Sequence, residues 1–266
     1  MLGFRDIVNG LKDLGVSHQY PVIAHIHPQI SGEIKGGSRT LLGGLLAAAD
    51  NLVLPAFTYR TQVVPETGPD NNALEYGSGS ASNLDAEIFS EDLPADEPFF
   101  EMAELMRQYP YAKRSAHPIL SFVGLGLNSA LASQDHFHPY TPIQSLLAMD
   151  GMVVLIGVNQ TWNFSLHYAE FLAGRKQFTR WGLTQSGILE CTPFPGCADG
   201  FIKINRQIEK YKVEINLGHA SWQAFSLQPL IETAVSILKN DPFALLCNRL
   251  KCERCNAVRQ SIKGSQ

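Results

Sequence analysis

The apolar run Met152 to Val158 constrains the fold of this chain more than any other stretch. It is too short for a globular helix and rich in β-branched residues, so it reads as a central strand buried on both faces. A strand with no polar side needs cover above and below, and helices supply it in an α/β sheet. Pro21 to His27 is a second run of this kind, stopped by Pro28. A helix over Arg39–Ala49, with Ser38 as its N-cap, and a strand over Leu52–Phe57 follow. Strand, helix and strand in this order make a βαβ unit. Ahead of them, Phe4, Ile7, Val8, Leu11 and Leu14 recur at helical spacing up to Gly15, a C-cap.

Past the Met152 strand a polar turn leads into a helix from about Ser165. Ligands of α/β sheets gather at the carboxyl ends of strands, where this helix begins. His167 and Glu170 are three residues apart on it, so imidazole and carboxylate share a face. That arrangement suits a general base with an orienting partner. Solvated or packed helix faces carry the same spacing, and that reading stands beside the catalytic one.

With 266 residues, 45% of them hydrophobic, the chain can bury one large core. The expected organisation is a single domain over 1–245 and a Cys-containing tail over 246–266, packed on the domain or extending it. A formal net charge of −4 leaves no electrostatic footprint for nucleic acid. The amino terminus lacks the pattern of a signal peptide, and no stretch of about 18 apolar residues is present. The expectation is a cytoplasmic protein with neither membrane nor nucleic acid as partner, and one compatible with a homodimer.

From Thr58 to Pro98, Gly, Pro, Asn, Ser and acidic residues dominate without periodicity, which reads as a long loop insertion. Glu66, Asp70, Glu75, Asp85, Glu87, Glu91 and Asp92 are candidates to line a site for a cationic substrate; a merely solvated loop is the alternative. After a helix ending near Arg107, the residues Arg114, Ser115, His117 and Ser121 precede an apolar run. Donors at that density suit a phosphate or amide-rich ligand, or else a surface turn before a strand. Phe201–Ile204 and Tyr211–Ile215 read as short strands, Asn216–Ser221 as a turn carrying His219, and Gln228–Lys239 as a last amphipathic helix.

All five cysteines lie in the last third of the chain. Cys252 and Cys255 have the spacing of half a zinc knuckle, and Cys191 with Cys197 on a Pro/Gly-rich turn would complete a structural tetrathiolate. Cys247 is then left over. Unligated thiols are the alternative, since six-residue spacing of the first pair exceeds that usual for zinc.

Two of these segments carry a family resemblance. Arg114-Ser-Ala-His-Pro-Ile-Leu-Ser121 resembles the Arg-Ser-x-His-Pro-x-x-Ser signature of the aminoglycoside 3-N-acetyltransferase family, and Ser165-Leu-His-Tyr-Ala-Glu170 resembles its second signature. Val22–His25, Gly36-Gly37, Leu54–Thr58, Thr141-Pro142-Ile143 and Leu155-Ile156-Gly157 add to the match, which spans about 20–225. The resemblance implies a central mixed sheet flanked by helices and a transferase that passes acetyl from acetyl-CoA to a small-molecule amine without a covalent intermediate. It implies His167 as the base, Glu170 as its support and an acidic third member, for which Asp150 is the candidate. Ser115, His117 and Ser121, with Arg114, would then contact the cofactor's pantetheine arm or polarise the thioester. Where the family typically reads His-Ser-Ser-Leu, this chain has His25-Ile26-His27-Pro28. His27 then replaces the missing donor beside His25, or the chain is an altered, CoA-binding or regulatory member of the fold.

Overall fold

The computed structural model describes residues 1–77 and 83–264. In chain order its strands are β1 (Val22–Ile26), β2 (Leu52–Pro55), β3 (Gln62–Val63), β4 (Lys113–Arg114), β5 (Phe122–Leu125), β6 (Met152–Ile156), β7 (Phe178–Thr184), β8 (Gly187–Phe194), β9 (Lys212–Leu217) and β10 (Ala220–Ser226). The helices are α1 (Phe4–Asp13), α2 (Gly37–Ala48), α3 (Phe100–Arg107), α4 (Asn128–Ala132), α5 (Thr141–Ala148), α6 (Ser165–Leu172), α7 (Asn205–Ile208), α8 (Leu227–Asn240) and α9 (Glu253–Gly264). Among the described residues no helix is long and apolar enough to cross a membrane.

A seven-stranded sheet in the order β4-β5-β2-β1-β6-β10-β9 forms the centre. It is mixed. β1 pairs in parallel with β2 on one side and with β6 on the other, Val22 lying opposite both Leu52 and Met152, while β5, β4, β10 and β9 are joined antiparallel. The apolar runs of β1 and β6 are unbroken because both faces are covered. Val153 and Leu155 face a cluster with Leu146, Leu166 and Leu230 from α5, α6 and α8. Met152, Val154 and Ile156 face the other way, into Ile7, Leu41 and Met106 from α1, α2 and α3. Period-two alternation of one strand thus feeds two separate cores.

Several local expectations change. Ser38 lies inside α2, and Gly36 is the capping residue, held at φ +88°. Residues Phe201–Ile204 form a 3₁₀ turn and not a strand; the two buried residues, Phe201 and Ile204, are three apart, which matches one turn of helix. The turn expected over 216–221 contracts to Gly218-His219, because Ala220 already pairs with Leu217. The excursion after Thr58 is tied to the protein: β3 pairs with β7, and Phe89 bridges to Thr184, so it edges a second sheet in the order β3-β7-β8. Residues 78–82 of that excursion lie outside the described residues.

Candidate active site

The carboxyl ends of β1, β2 and β6 open into two adjoining cavities. The narrower, of about 230 Å³, is walled by His25, Phe57, Phe99, Trp162 and Phe164. The wider, of about 710 Å³, lies between Leu74, the Phe194–Asp199 loop and Arg249–Arg254. His167, Tyr59, Phe164 and Ala198 line both.

His167 is delivered there by a polar turn that manages its own backbone. Asn159 Oδ1 accepts from the Thr161 amide, and Asn163 Oδ1 accepts from the Ser165 amide, fixing where α6 begins. One helical turn on, His167 Nδ1 lies 2.7 Å from Glu170 Oε2, and the ring sits 5.5 Å from Phe164 and 4.7 Å from Phe201, centroid to centroid. The other carboxylate oxygen, Oε1, accepts from Arg175 Nη1 at 2.9 Å. Arg175 Nη2 in turn donates to the carbonyls of Pro242 and Ala244 at 2.7 and 2.6 Å. The three side chains are 8%, 4% and 5% exposed, so the row is shielded from bulk water. A carboxylate accepting at Nδ1 selects the tautomer whose Nε2 carries the lone pair. The ring nitrogen left for chemistry is Nε2.

Arg175 went unnoticed in the sequence. Its signal was a cation five residues past Glu170, just beyond Gly174 at the helix end. It takes the place expected of an acid: Asp150 is exposed in the turn that enters β6, at the opposite end of the strand from His167, and cannot join this row.

The first signature segment is buried and spends its donors on the protein. Arg114 Nε donates to Ser121 Oγ, Nη2 to the Ala56 carbonyl, and Nη1 to the carbonyls of Glu91 and Leu93. Ser121 Oγ donates to the Ala56 carbonyl, and Ser115 Oγ accepts from the Phe122 amide and donates to Gln134. His117 Nδ1 accepts from the Ile119 and Leu120 amides. None of the four lines either cavity; they brace the segment between β4 and β5 against β2 and the excursion. His25 does line the narrower cavity. It is buried, and among the described residues its Nε2 has no hydrogen-bond partner. Burial pushes its imidazolium pKa down to about 3, so the ring is neutral. His27 turns aside: its Nδ1 accepts from the Gln29 amide and its ring lies 5.8 Å from Trp162.

The acidic residues expected to face a substrate do not. Glu87 pairs with Arg60 and Asp92 with Arg107, and none of the seven lines either cavity. The carboxylates on the wider cavity are Asp199 and Glu253.

Four cysteines converge, but with one substitution in the expected set. The sulfurs of Cys197, Cys247, Cys252 and Cys255 all lie within 4.8 Å of one another. Cys191 is elsewhere, buried on β8 opposite Arg180, so Cys247 fills its expected place. Strand β8 buries Cys191 in the core, and the chain leaving α8 brings Cys247 to the loop that carries Cys197.

Comparison with known proteins gives one consistent outcome. Residues 24–239 match the family described as aminoglycoside 3-N-acetyltransferase. Aminoglycoside N(3)-acetyltransferase IX of Micromonospora chalcea is 32% identical over 178 residues, covering 63% of this chain and 61% of that protein. Its counterpart VII from Streptomyces paromomycinus is 28% identical over 63% of this chain and 59% of its own length. This chain therefore spans about three fifths of these curated relatives. Among solved structures, the apoenzyme of aminoglycoside acetyltransferase AAC(3)-IVa superposes with a TM-score of 0.77 at 23% identity, over 97% of each chain. A binary complex of AAC-IIIb with CoASH gives a TM-score of 0.72 at 18% identity, over 90% of this chain and 97% of that one.

Proposed function

The chain belongs to the aminoglycoside 3-N-acetyltransferase family, and from that premise we propose that it transfers an acyl group from acyl-CoA directly to an amine, with His167 as general base. The observation that carries this reading is the His167–Glu170–Arg175 row, buried and fixed at the junction of two cavities. An alkylammonium first gives one proton to solvent, which frees the lone pair of its nitrogen. As that nitrogen bonds to the thioester carbon, His167 Nε2 takes a second proton from it; the tetrahedral adduct then collapses, the carbon–sulfur bond breaks, and the sulfur leaves as CoA thiol carrying that second proton. Glu170 holds the ring in the tautomer this needs and stabilises the imidazolium formed on the way.

The narrower cavity, with its walls of Phe57, Phe99, Trp162 and Phe164, suits the acyl-pantetheine end, and the relative solved with CoASH supports that co-substrate. His25, neutral and with no hydrogen-bond partner at Nε2 among the described residues, donates to the carbonyl oxygen as negative charge builds on it. The wider cavity receives the amine, with Asp199 and Glu253 as its carboxylates. The relatives' names make aminoglycosides the first acceptors to try.

The test follows thiol release from acetyl-CoA across a panel of amines, aminoglycosides included. His167→Ala is expected to lower kcat/KM by about 10²–10⁴-fold while acetyl-CoA binding by calorimetry is retained. Full turnover in the variant would overturn the assignment. Tight acetyl-CoA binding by the native chain without thiol release for any amine would favour the non-catalytic alternative.

A further inference from the structure

The four-cysteine cluster has no part in the proton and acyl transfer, although Cys197 and Cys252 line the wider cavity. Its sulfurs are mutually within 4.8 Å, and all four cysteines are free. A tetrahedral zinc thiolate, with metal–sulfur bonds of about 2.3 Å, sets its sulfurs about 3.8 Å apart, so the cluster closes on an ion by a small contraction. Two disulfides would need each pair to approach to about 2.05 Å. The surroundings also match a thiolate centre. The Cys247 amide donates to Cys255 Sγ at 3.4 Å, and Arg249 Nη2 approaches Cys197 Sγ at 3.7 Å. Donors aimed at the sulfurs, with Arg259 bonded to the Cys247 carbonyl, offset the two negative charges in excess that four thiolates and one divalent ion would carry. Three ligands come from one stretch, the link after α8 and the start of α9, and the fourth from the loop after β8, which is distant from it in sequence.

We propose that Cys197, Cys247, Cys252 and Cys255 bind one Zn²⁺ as a closed structural site that pins the start of α9 to the 195–199 loop and thereby builds the wall of the wider cavity opposite His167. Both pinned segments line that cavity, through Gly196, Asp199, Arg249 and Glu253 among others. On binding, each thiol gives its proton to solvent, and four sulfurs leave no coordination position for a substrate or water. Thiolate softness selects zinc over magnesium or calcium.

Elemental analysis of the full chain, purified with reductant from zinc-replete medium, is expected to give about one zinc per chain. Cys247→Ser and Cys252→Ser should fall below about one fifth of that, and Cys191→Ala should keep it in full. Should the serine variants not fold, the native chain grown with Co²⁺ decides instead, through sulfur-to-cobalt charge-transfer bands and tetrahedral d–d bands. Hydrogen exchange after zinc removal is expected to speed selectively at 195–199 and 249–258. A chain with no zinc and no cobalt charge transfer, one isolated with iron, or one whose metal is lost with Cys191 and kept without Cys247 would overturn the site. Unchanged exchange in the two segments would overturn its role in the wall.

Discussion

A buried imidazole with no counter-charge bonded to it gives up its own. His167 has a carboxylate at 2.7 Å; His25 and His117 have none at hydrogen-bond distance, and burial pushes the imidazolium pKa of each down to about 3. His117 feels the nearby His136 in the same direction, and its Nδ1 already accepts from two amides, which the neutral ring can do and the protonated ring cannot. The consequence for stability has a definite sign. In the unfolded chain these rings return to the ordinary value of 6.5, so the folded state binds fewer protons at mildly acidic pH. Their contribution is whole above pH 6.5 and is lost as pH falls from there towards 3, at about 1.4 kcal/mol per unit for each ring once the unfolded chain is protonated. Calorimetry between pH 7 and 5 should show Tm falling with acidity. His117→Asn, which keeps an acceptor for the two amides, should flatten the slope. Equal slopes in variant and parent would contradict the account.

At the scale of elements, the entry to α2 depends on one backbone conformation. Gly36 sits at φ +88°, and a β-carbon there would lie 2.4 Å from Thr40 Oγ1. Gly36→Ala is expected to cost about 1–2 kcal/mol, read as a lower urea midpoint at unchanged slope. Elements like α2 were legible because their two flanking strands have no polar side, and β1 and β6 declared themselves for the same reason. The β7–β8 hairpin did not: much of β8 is exposed, so its residues carry no apolar run or clean alternation. Placement of the site followed the same division. His167 and Glu170 could be read together because helical spacing alone joins them, whereas the direction in which Arg114, Ser115 and Ser121 point is decided by β2 and the excursion, distant in sequence. Cys247 was hidden likewise, since its nearness to Cys197 depends on how the chain leaves α8.

For the whole molecule the question is whether the stretch after residue 245 is an attachment or part of the fold. Cys255, Ala257 and Val258 of α9 belong to the same buried cluster as Val153 of β6, Leu166 of α6 and Leu230 of α8. Arg175 reaches the carbonyls of Pro242 and Ala244 and, at its other end, holds Glu170, so the geometry at His167 is anchored to the chain just ahead of this stretch. Leu245 and Leu246 are themselves buried in that cluster. A shared core of this kind unfolds as one cooperative unit. Val258 is 3% exposed, and Val258→Asp would place an unpaired carboxylate in it, at a cost of about 3 kcal/mol and a Tm lower by about 6–10 °C for a chain of this size. Hydrogen exchange at the β10 amides around Trp222, which packs in the opposite core, and along α9 should register the loss at the same temperature. A low-temperature transition confined to α9, with exchange around Trp222 unmoved, would instead make the carboxyl-terminal stretch a separable attachment, and the anchoring of His167 would then have to come from the sheet side alone.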